Sequence, residues 1–360
     1  MSKPIVAIAA GGTGGHVYPG LAVAEVLRER GCEVLWIGTQ HGLEARVVPQ
    51  RQIAFEALEV RGLRGKGLGA KLAAPWRLWK AMSAAGRLLA ERQPAALLGM
   101  GGYLSGPVAL AARRCGVPLL IHEQNAVAGL TNRILAPLCR RVLTGFPDVL
   151  GSRGEWVGNP VRAEVIRIPP PEQRYARRQG PPRLLVLGGS QGALMLNRAV
   201  PEALSQWPTD LPPPRVVHQA GEQTIDEAVQ RYHRAGIEAE VVPFIEDMAG
   251  AYEWADLVVA RAGALSVSEL AVAGVPSVLV PLPWAADDHQ RFNAEMLGRV
   301  GGARVLPQAA VINGQLTKLL PQLVGDRQRL ELQRMGEAAR SVAVTDAAER
   351  VAEACLEVCR

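Results

Sequence analysis

The sequence predicts an α/β protein of two Rossmann-like domains with parallel sheets facing each other across a cleft. Three observations carry this. Short apolar runs alternate with amphipathic segments along most of the 360 residues, the rhythm of βαβ units around a parallel sheet. A stretch rich in proline and charge, "IRIPPPEQRYARRQGPPR" at 166–183, interrupts the rhythm once. Beyond it, "RLLVLGGSQGALMLNRAV" repeats the opening of the chain: an apolar strand, a glycine-rich turn and an amphipathic helix.

In order along the chain, "PIVAIAA", "VLWIG", "AALLGMG", "PLLIHE" and "RVLTGF" read as strands of the first half, with "GLAVAEVLRERG" and "GPVALAARRCG" among the helices between them. In the second half, "RVVHQAG", "EAEVVPF", "DLVVARAG" and "PSVLVPLP" are the strands after "RLLVLGG". The expected division is residues 1–163, a linker at 164–182, a second domain at 183–340 and a terminal helix at 341–360. That helix, "TDAAERVAEACLEVC", carries Ala, Val and Leu at helical spacing and is expected to pack, with the first domain as one place for it.

With 48% apolar and 21% charged residues, the chain can bury substantial cores. A formal charge of +6 suggests a polyanionic partner. Aromatic residues make up only 4% and do not alternate with basic ones, so no base-stacking platform is expected and nucleic acid is not a predicted partner. The five cysteines, Cys32, Cys115, Cys139, Cys355 and Cys359, show no Cys-x-x-Cys spacing; a reducing cytosol fits better than a disulfide framework or a zinc site. No signal segment is expected at the N-terminus. No run reaches the roughly 18 apolar residues of a spanning helix.

The first turn, "GGTGGHVYPG" at 11–20, follows a strand and opens a helix. Free amides and the macrodipole make such a turn a seat for phosphate. Yet Val17 stands where a dinucleotide loop has glycine, and neither this turn nor "GGSQGA" continues into Gly-Lys-Ser/Thr. Two such turns at the first strands of two domains would line a shared cleft. His16 would then either cap its turn or accept a proton between two anionic substrates, a task that suits an imidazole of pKa about 6.5.

In "ARAGALSVSEL", Ser266 and Glu269 have the spacing of a capping box. The alternative places Glu269 on the ribose hydroxyls of a nucleotide. In "PLPWAADDHQRFNA", Asp287, Asp288, His289 and Gln290 cluster before a helix. The chain has no Asp-x-Asp pair of the kind that holds a divalent metal beside a sugar nucleotide. No metal or cofactor is therefore expected, and helix ends with arginines such as Arg162 would neutralise a diphosphate.

In "RGLRGKGLGAKLAAPWRLWKAM", Leu68, Leu72, Trp76, Trp79 and Met82 recur at helical steps among Arg61, Arg64, Lys66, Lys71, Arg77 and Lys80. Basic flanks and paired tryptophans predict peripheral docking on an anionic membrane over a core stripe.

The ordered set "GGTGGHVYPGLA", "GMGGYLSGP", "IHEQNAVAGLTN", "VGNPVR", "LGGSQGA", "ARAGALSVSEL" and "DDHQRFNA" closely resembles the MurG family of bacterial N-acetylglucosaminyltransferases, from about residue 5 to residue 294. The resemblance implies a GT-B glycosyltransferase fold and inverting transfer from UDP-N-acetylglucosamine to the lipid-linked muramoyl-pentapeptide precursor of peptidoglycan, lipid I. It implies donor contacts from Ser190, from Ile245 near the uracil, from Ala264, Leu265, Ser266, Val267 and Ser268 along the nucleotide, from Glu269 on the ribose and from Gln290 on the sugar. From the first domain it implies Thr13, Gly14, Gly15 and Asn125, with Arg162 approaching from the inter-domain segment. His16 is the candidate base. The basic, Trp-bearing stretch (Leu68, Lys71, Leu72, Trp76, Trp79, Lys80) agrees with a lipid-anchored acceptor at the cytoplasmic face of the inner membrane. Ala260 departs from the small polar residue the family often carries. The rivals are a non-catalytic nucleotide-sugar-binding recruitment subunit, a UDP-sugar epimerase of the same fold, and an NAD-dependent oxidoreductase, which the missing third glycine disfavours.

Overall fold

The computed structural model describes residues 3–59, 68–189, 192–283, 286–324 and 328–359, with backbone alone at 68–75 and at residue 286. The chain forms two compact units: Met1–Arg162 with Thr345–Arg360, and Ala163–Val344.

The first unit runs β1 (Ile5–Ala9), α1 (Gly14–Glu29), β2 (Glu33–Thr39), α2 (Leu43–Gln50), β3 (Ala54–Leu58), α3 (Leu68–Arg92), β4 (Ala96–Gly99), α4 (Ser105–Arg114), β5 (Leu119–Glu123), α5 (Leu130–Leu135), β6 (Arg141–Thr144) and β7 (Gly154–Trp156). Its strands order as β3-β2-β1-β4-β5-β6-β7, all parallel, with Val6 of β1 opposite Val34 on one side and Ala96 on the other. Strands such as "LLIHE" are buried along their whole length, as expected where helices cover both faces.

The second unit runs α6 (Ala163–Ile166), α7 (Pro171–Ala176), β8 (Arg183–Leu187), α8 (Leu194–Ser205), β9 (Arg215–Gln219), α9 (Ile225–Ala235), β10 (Ala239–Val242), α10 (Met248–Trp254), β11 (Leu257–Ala260), α11 (Ala264–Ala273), β12 (Ser277–Leu279), α12 (His289–Arg299), β13 (Ala303–Val305), α13 (Gln308–Ile312), α14 (Gln315–Val324) and α15 (Arg329–Arg340). Its sheet, β10-β9-β8-β11-β12-β13, is again parallel. Two Rossmann-like parallel sheets in one chain are the GT-B fold.

The terminal helix α16 (Ala347–Cys359) belongs to the first unit and packs on α1. Val351, Ala352, Ala354 and Cys355 share one core with Val23, Ala24 and Leu27. The segment expected as a linker is instead folded into the second unit as α6 and α7. There Pro171 opens α7, where its missing N–H costs nothing. The Arg174 guanidinium, 5% exposed, donates to Ala273 O and Gly274 O, each at 2.6 Å. Those carbonyls end α11, so two guanidinium nitrogens meet the negative end of a helix.

Candidate active site

In each sheet the strand order reverses once, between β1 and β4 and between β8 and β11. At such a switch point the carboxyl ends of the strands open a crevice for ligands. The first glycine turn leaves β1 there, and the second leaves β8.

His16 is the third residue of α1. Its amide donates to Thr13 O at 3.1 Å; the amides of Gly14 and Gly15, ahead of it, have no intrahelical acceptor. His16 Nδ1 lies 3.1 Å from Gln124 Oε1, and Gln124 Nε2 donates to Met100 O at 2.8 Å. Burial lowers the imidazole pKa below its ordinary 6.5, against the opposing pull of Gln124, of the Glu123 charge and of the Met100 carbonyl. His16 is thus neutral at pH 7, the state a proton acceptor requires.

The turn is held from behind by Glu44, which is wholly buried. Its carboxylate accepts from the amide of Gly12 at 3.1 Å, and from the amide and hydroxyl of Thr39 at 3.0 and 2.6 Å. Glu123 plays a similar part after β5. Its carboxylate accepts from the amide and Nδ2 of Asn125, the amide of Gly129 and Nδ2 of Asn132, at 2.8–3.2 Å. Asn125 is thereby fixed at the start of its loop. Arg162 is the last residue of the first unit, at its boundary with the second. Its guanidinium sits 4.8 Å from the centroid of the Tyr18 ring, a cation–π contact. Tyr18 in turn flanks Gly14, where a Cβ would come within 3.1 Å of the ring.

In the second unit, Ser190 lies outside the described residues. Around it, Gln219 Nε2 donates to Gly189 O at 2.9 Å and to Pro243 O at 3.2 Å, tying the turn to the segment that carries Ile245. Below the turn, Asn197 Oδ1 faces His218 Nε2 at 3.0 Å, and His218 Nδ1 faces the Tyr232 hydroxyl at 2.9 Å. The Asn197 amide nitrogen donates to Ala220 O and Thr224 O, so its oxygen accepts and His218 carries its proton on Nε2. Burial pushes the His218 pKa down to about 4.

Gly263 is the N-cap of α11, and Ser266 lies inside the helix. The capping box that the spacing allows therefore does not form. Ala264, Leu265 and Ser266 make the first turn, where amides lack intrahelical acceptors; Val267 and Ser268 follow, both buried. Glu269, 2% exposed, accepts from the Tyr252 hydroxyl at 3.1 Å. Gln290 Oε1 accepts from the amide of Leu282 at 3.0 Å, which leaves its Nε2 as the donor. Just before it, Asp287 and Asp288 both adopt positive φ, at 53° and 55°.

On α3, Trp76 and Trp79 are exposed, at 65% and 55%, and stack with ring centroids 5.0 Å apart. Lys80 beside them pairs with Glu59 at 3.3 Å. The core stripe of this helix is Ala81, Ala85 and Leu89, and Met82 is half-buried. The side chains of Leu68, Lys71 and Leu72 and the residues Arg61, Arg64 and Lys66 lie outside the described ones. Among the described residues no helix is long and apolar enough to cross a membrane.

Residues 6–144 match the Glycosyltransferase family 28 N-terminal domain, and residues 183–351 the Glycosyltransferase family 28 C-terminal domain. A crystal structure of Acinetobacter baumannii MurG superposes with a TM-score of 0.81 at 38% identity, covering 99% of this chain and 100% of that one. The chain belongs to the MurG family. Among MurG relatives, the UDP-N-acetylglucosamine–N-acetylmuramyl-(pentapeptide) pyrophosphoryl-undecaprenol N-acetylglucosamine transferase of Halorhodospira halophila is 62% identical over 359 residues, 99% of each chain. The protein of that name from Alkalilimnicola ehrlichii is 54% identical over 361 residues and the full length of both.

The sequence pointed to His16, Asn125 and Glu269 but not to Gln124 and Tyr252, which bond His16 and Glu269, nor to Glu44 and Gln219, which anchor the glycine turns. One signal was present: residues two apart share a face of a strand, so His122 and Gln124 lie on one side of the line that β5 follows.

Proposed function

We propose that this MurG-family protein transfers N-acetylglucosamine from UDP-N-acetylglucosamine to the 4-hydroxyl of the muramoyl sugar of lipid I, undecaprenyl-pyrophosphoryl-MurNAc-pentapeptide. The product is lipid II, the unit from which cell-wall peptidoglycan is made for growth and division. The acceptor oxygen attacks the anomeric carbon opposite the UDP oxygen. The new glycosidic bond forms as the old one breaks, UDP leaves with the electron pair, and configuration inverts. His16 Nε2 takes the hydroxyl proton.

The observation that carries the base assignment is the half-buried imidazole of His16, held by Gln124 Oε1 at the switch point of the first sheet, where burial lowers its pKa. In the second unit the donor reading uses Ser190, Ile245, residues 264–268, Glu269 and Gln290; in the first it uses Thr13, Gly14, Gly15, Asn125 and Arg162. The N-terminal turn of α11 supplies positive potential for the departing diphosphate. Trp76 and Trp79 with Lys80 supply the contact with anionic lipid at the cytoplasmic face of the inner membrane. Leu130 and Ile134 of α5, exposed at 70% and 60%, extend the apolar surface of the first unit; α3 and α5 both pack on α4.

Incubation with labelled UDP-N-acetylglucosamine and lipid I in detergent or vesicles should yield the lipid-linked disaccharide. Absence of product with intact UDP binding would favour the non-catalytic subunit, and label recovered in an isomerised UDP-sugar would favour the epimerase. His16→Ala should lower kcat by about 10²–10⁴ with little change in donor KM. Wild-type kcat in that variant removes His16 as base.

A further inference from the structure

A neutral imidazole carries its proton on one nitrogen, and a base that works through Nε2 must keep that proton on Nδ1. The hydrogen bonds around His16 decide which nitrogen holds it. A carbonyl oxygen can only accept, so the side-chain nitrogen of Gln124 is the atom facing Met100 O, at 2.8 Å. Its Oε1 is then the atom facing His16 Nδ1, at 3.1 Å. The Met100 carbonyl also pulls the imidazole pKa upward, against the effect of burial. No hydrogen bond from His16 Nε2 is found among the described residues.

We propose that Gln124 is a positioning residue for His16, locking the imidazole as the Nδ1–H tautomer so that Nε2 remains the basic nitrogen. This rests on the reading of His16 as the base. Space for the pair is kept by Gly101, whose φ of +95° suits glycine; a Cβ there would stand 2.8 Å from His16 Nδ1 and 3.4 Å from Gln124 Oε1. The charged and titratable groups around the pair make their own bonds elsewhere, while the Glu123 charge still draws the imidazole pKa upward. Glu123 is engaged by Asn125, Gly129 and Asn132. His122 faces Gly158 O at 2.9 Å. Glu44 lies behind Gly12, and Arg162 stands over Tyr18. Gln124 is therefore the side chain that sets the tautomer, in the way the carboxylate of a hydrolase triad orients its histidine.

Nitrogen NMR of the histidine-labelled protein reads the tautomer directly. The expected spectrum has His16 protonated at Nδ1; a proton on Nε2 in the wild type overturns the proposal whatever the variants do. Gln124→Leu removes the acceptor while keeping bulk. It should shift the His16 signals toward the other tautomer and lower kcat about tenfold or more with donor KM within about twofold. Gln124→Glu places a carboxylate against Nδ1, which favours the charged ring, and should move the acid limb of the kcat profile to higher pH. The two assignments separate cleanly. If His16→Ala retains kcat, the base reading fails. If His16→Ala loses kcat while Gln124→Leu keeps wild-type kcat, tautomer and acid limb, the role of Gln124 alone fails.

Discussion

The amide of Gly12 donates to the carboxylate of Glu44 at 3.1 Å, so the turn that presents His16 is anchored to a charge with no access to water. Three glycines make this burial possible. A Cβ at Gly11, Gly38 or Gly42 would come within 2.5, 2.8 or 2.2 Å of Glu44. Glu44→Gln keeps the volume but sets an NH₂ group against one of the donors it now accepts from. A buried donor left unsatisfied costs about 1–3 kcal/mol, or roughly 3–10 °C in the melting temperature of a domain of this size. Thermal denaturation checks this, and an unchanged melting temperature would show that the anchor contributes nothing.

Glu269 gives a prediction about ligand affinity. It lies in the second turn of α11, and Tyr252 bonds one carboxylate oxygen, so its role is not helix capping. On the proposed ribose contact, Glu269→Ala should weaken UDP binding about 10- to 100-fold, the worth of one or two charge-assisted hydrogen bonds. Tyr252→Phe is the companion variant, since it removes a donor to the carboxylate and leaves the carboxylate itself. Isothermal calorimetry with UDP reads both; full affinity in Glu269→Ala would confine the residue to packing.

The stacked pair Trp76 and Trp79 predicts lipid binding separable from folding. Because both rings are exposed, replacing both with serine should alter stability by no more than about 0.5 kcal/mol. Loss of two aromatic faces should reduce partition onto vesicles rich in anionic lipid roughly tenfold or more, and added salt should weaken wild-type binding by screening the basic residues. Co-sedimentation measures this. Unaltered vesicle association in the double variant would remove the tryptophans from the membrane face.

The two parallel sheets were legible in the sequence because strand and helix periodicities are local, and both glycine turns fall where the apolar runs end. What escaped the sequence was carried by long-range partners. Gln124 reaches His16 across 108 residues and Glu44 reaches Gly12 across 32, distances at which no spacing rule operates. Local rules also misled. Ser266 and Glu269 have capping-box spacing, but the helix starts at Ala264 with Gly263 as its cap. The prolines and charges at 166–183 suggest solvent, yet Arg174 is buried and donates to carbonyls about a hundred residues away.

Two buried histidines, one in each unit, predict how stability falls in acid. Burial lowers the pKa of His122 and of His218 to about 4 from an ordinary 6.5. His122 donates through Nε2 to Gly158 O, and His218 donates through Nε2 to Asn197 Oδ1 with its Nδ1 facing the Tyr232 hydroxyl. Above pH 6.5 both are neutral folded or unfolded, and the full stability is present. Between 6.5 and about 4 the unfolded chain binds protons that the folded chain refuses, so stability declines as pH falls through that window. Each histidine should cost on the order of 2 kcal/mol by pH 5, before most carboxylates titrate. Urea denaturation at steps from about pH 7.5 to 5 should show the midpoint falling, and His218→Gln should flatten that slope in the second unit. A midpoint constant across this range would mean that both imidazoles accept their protons while folded.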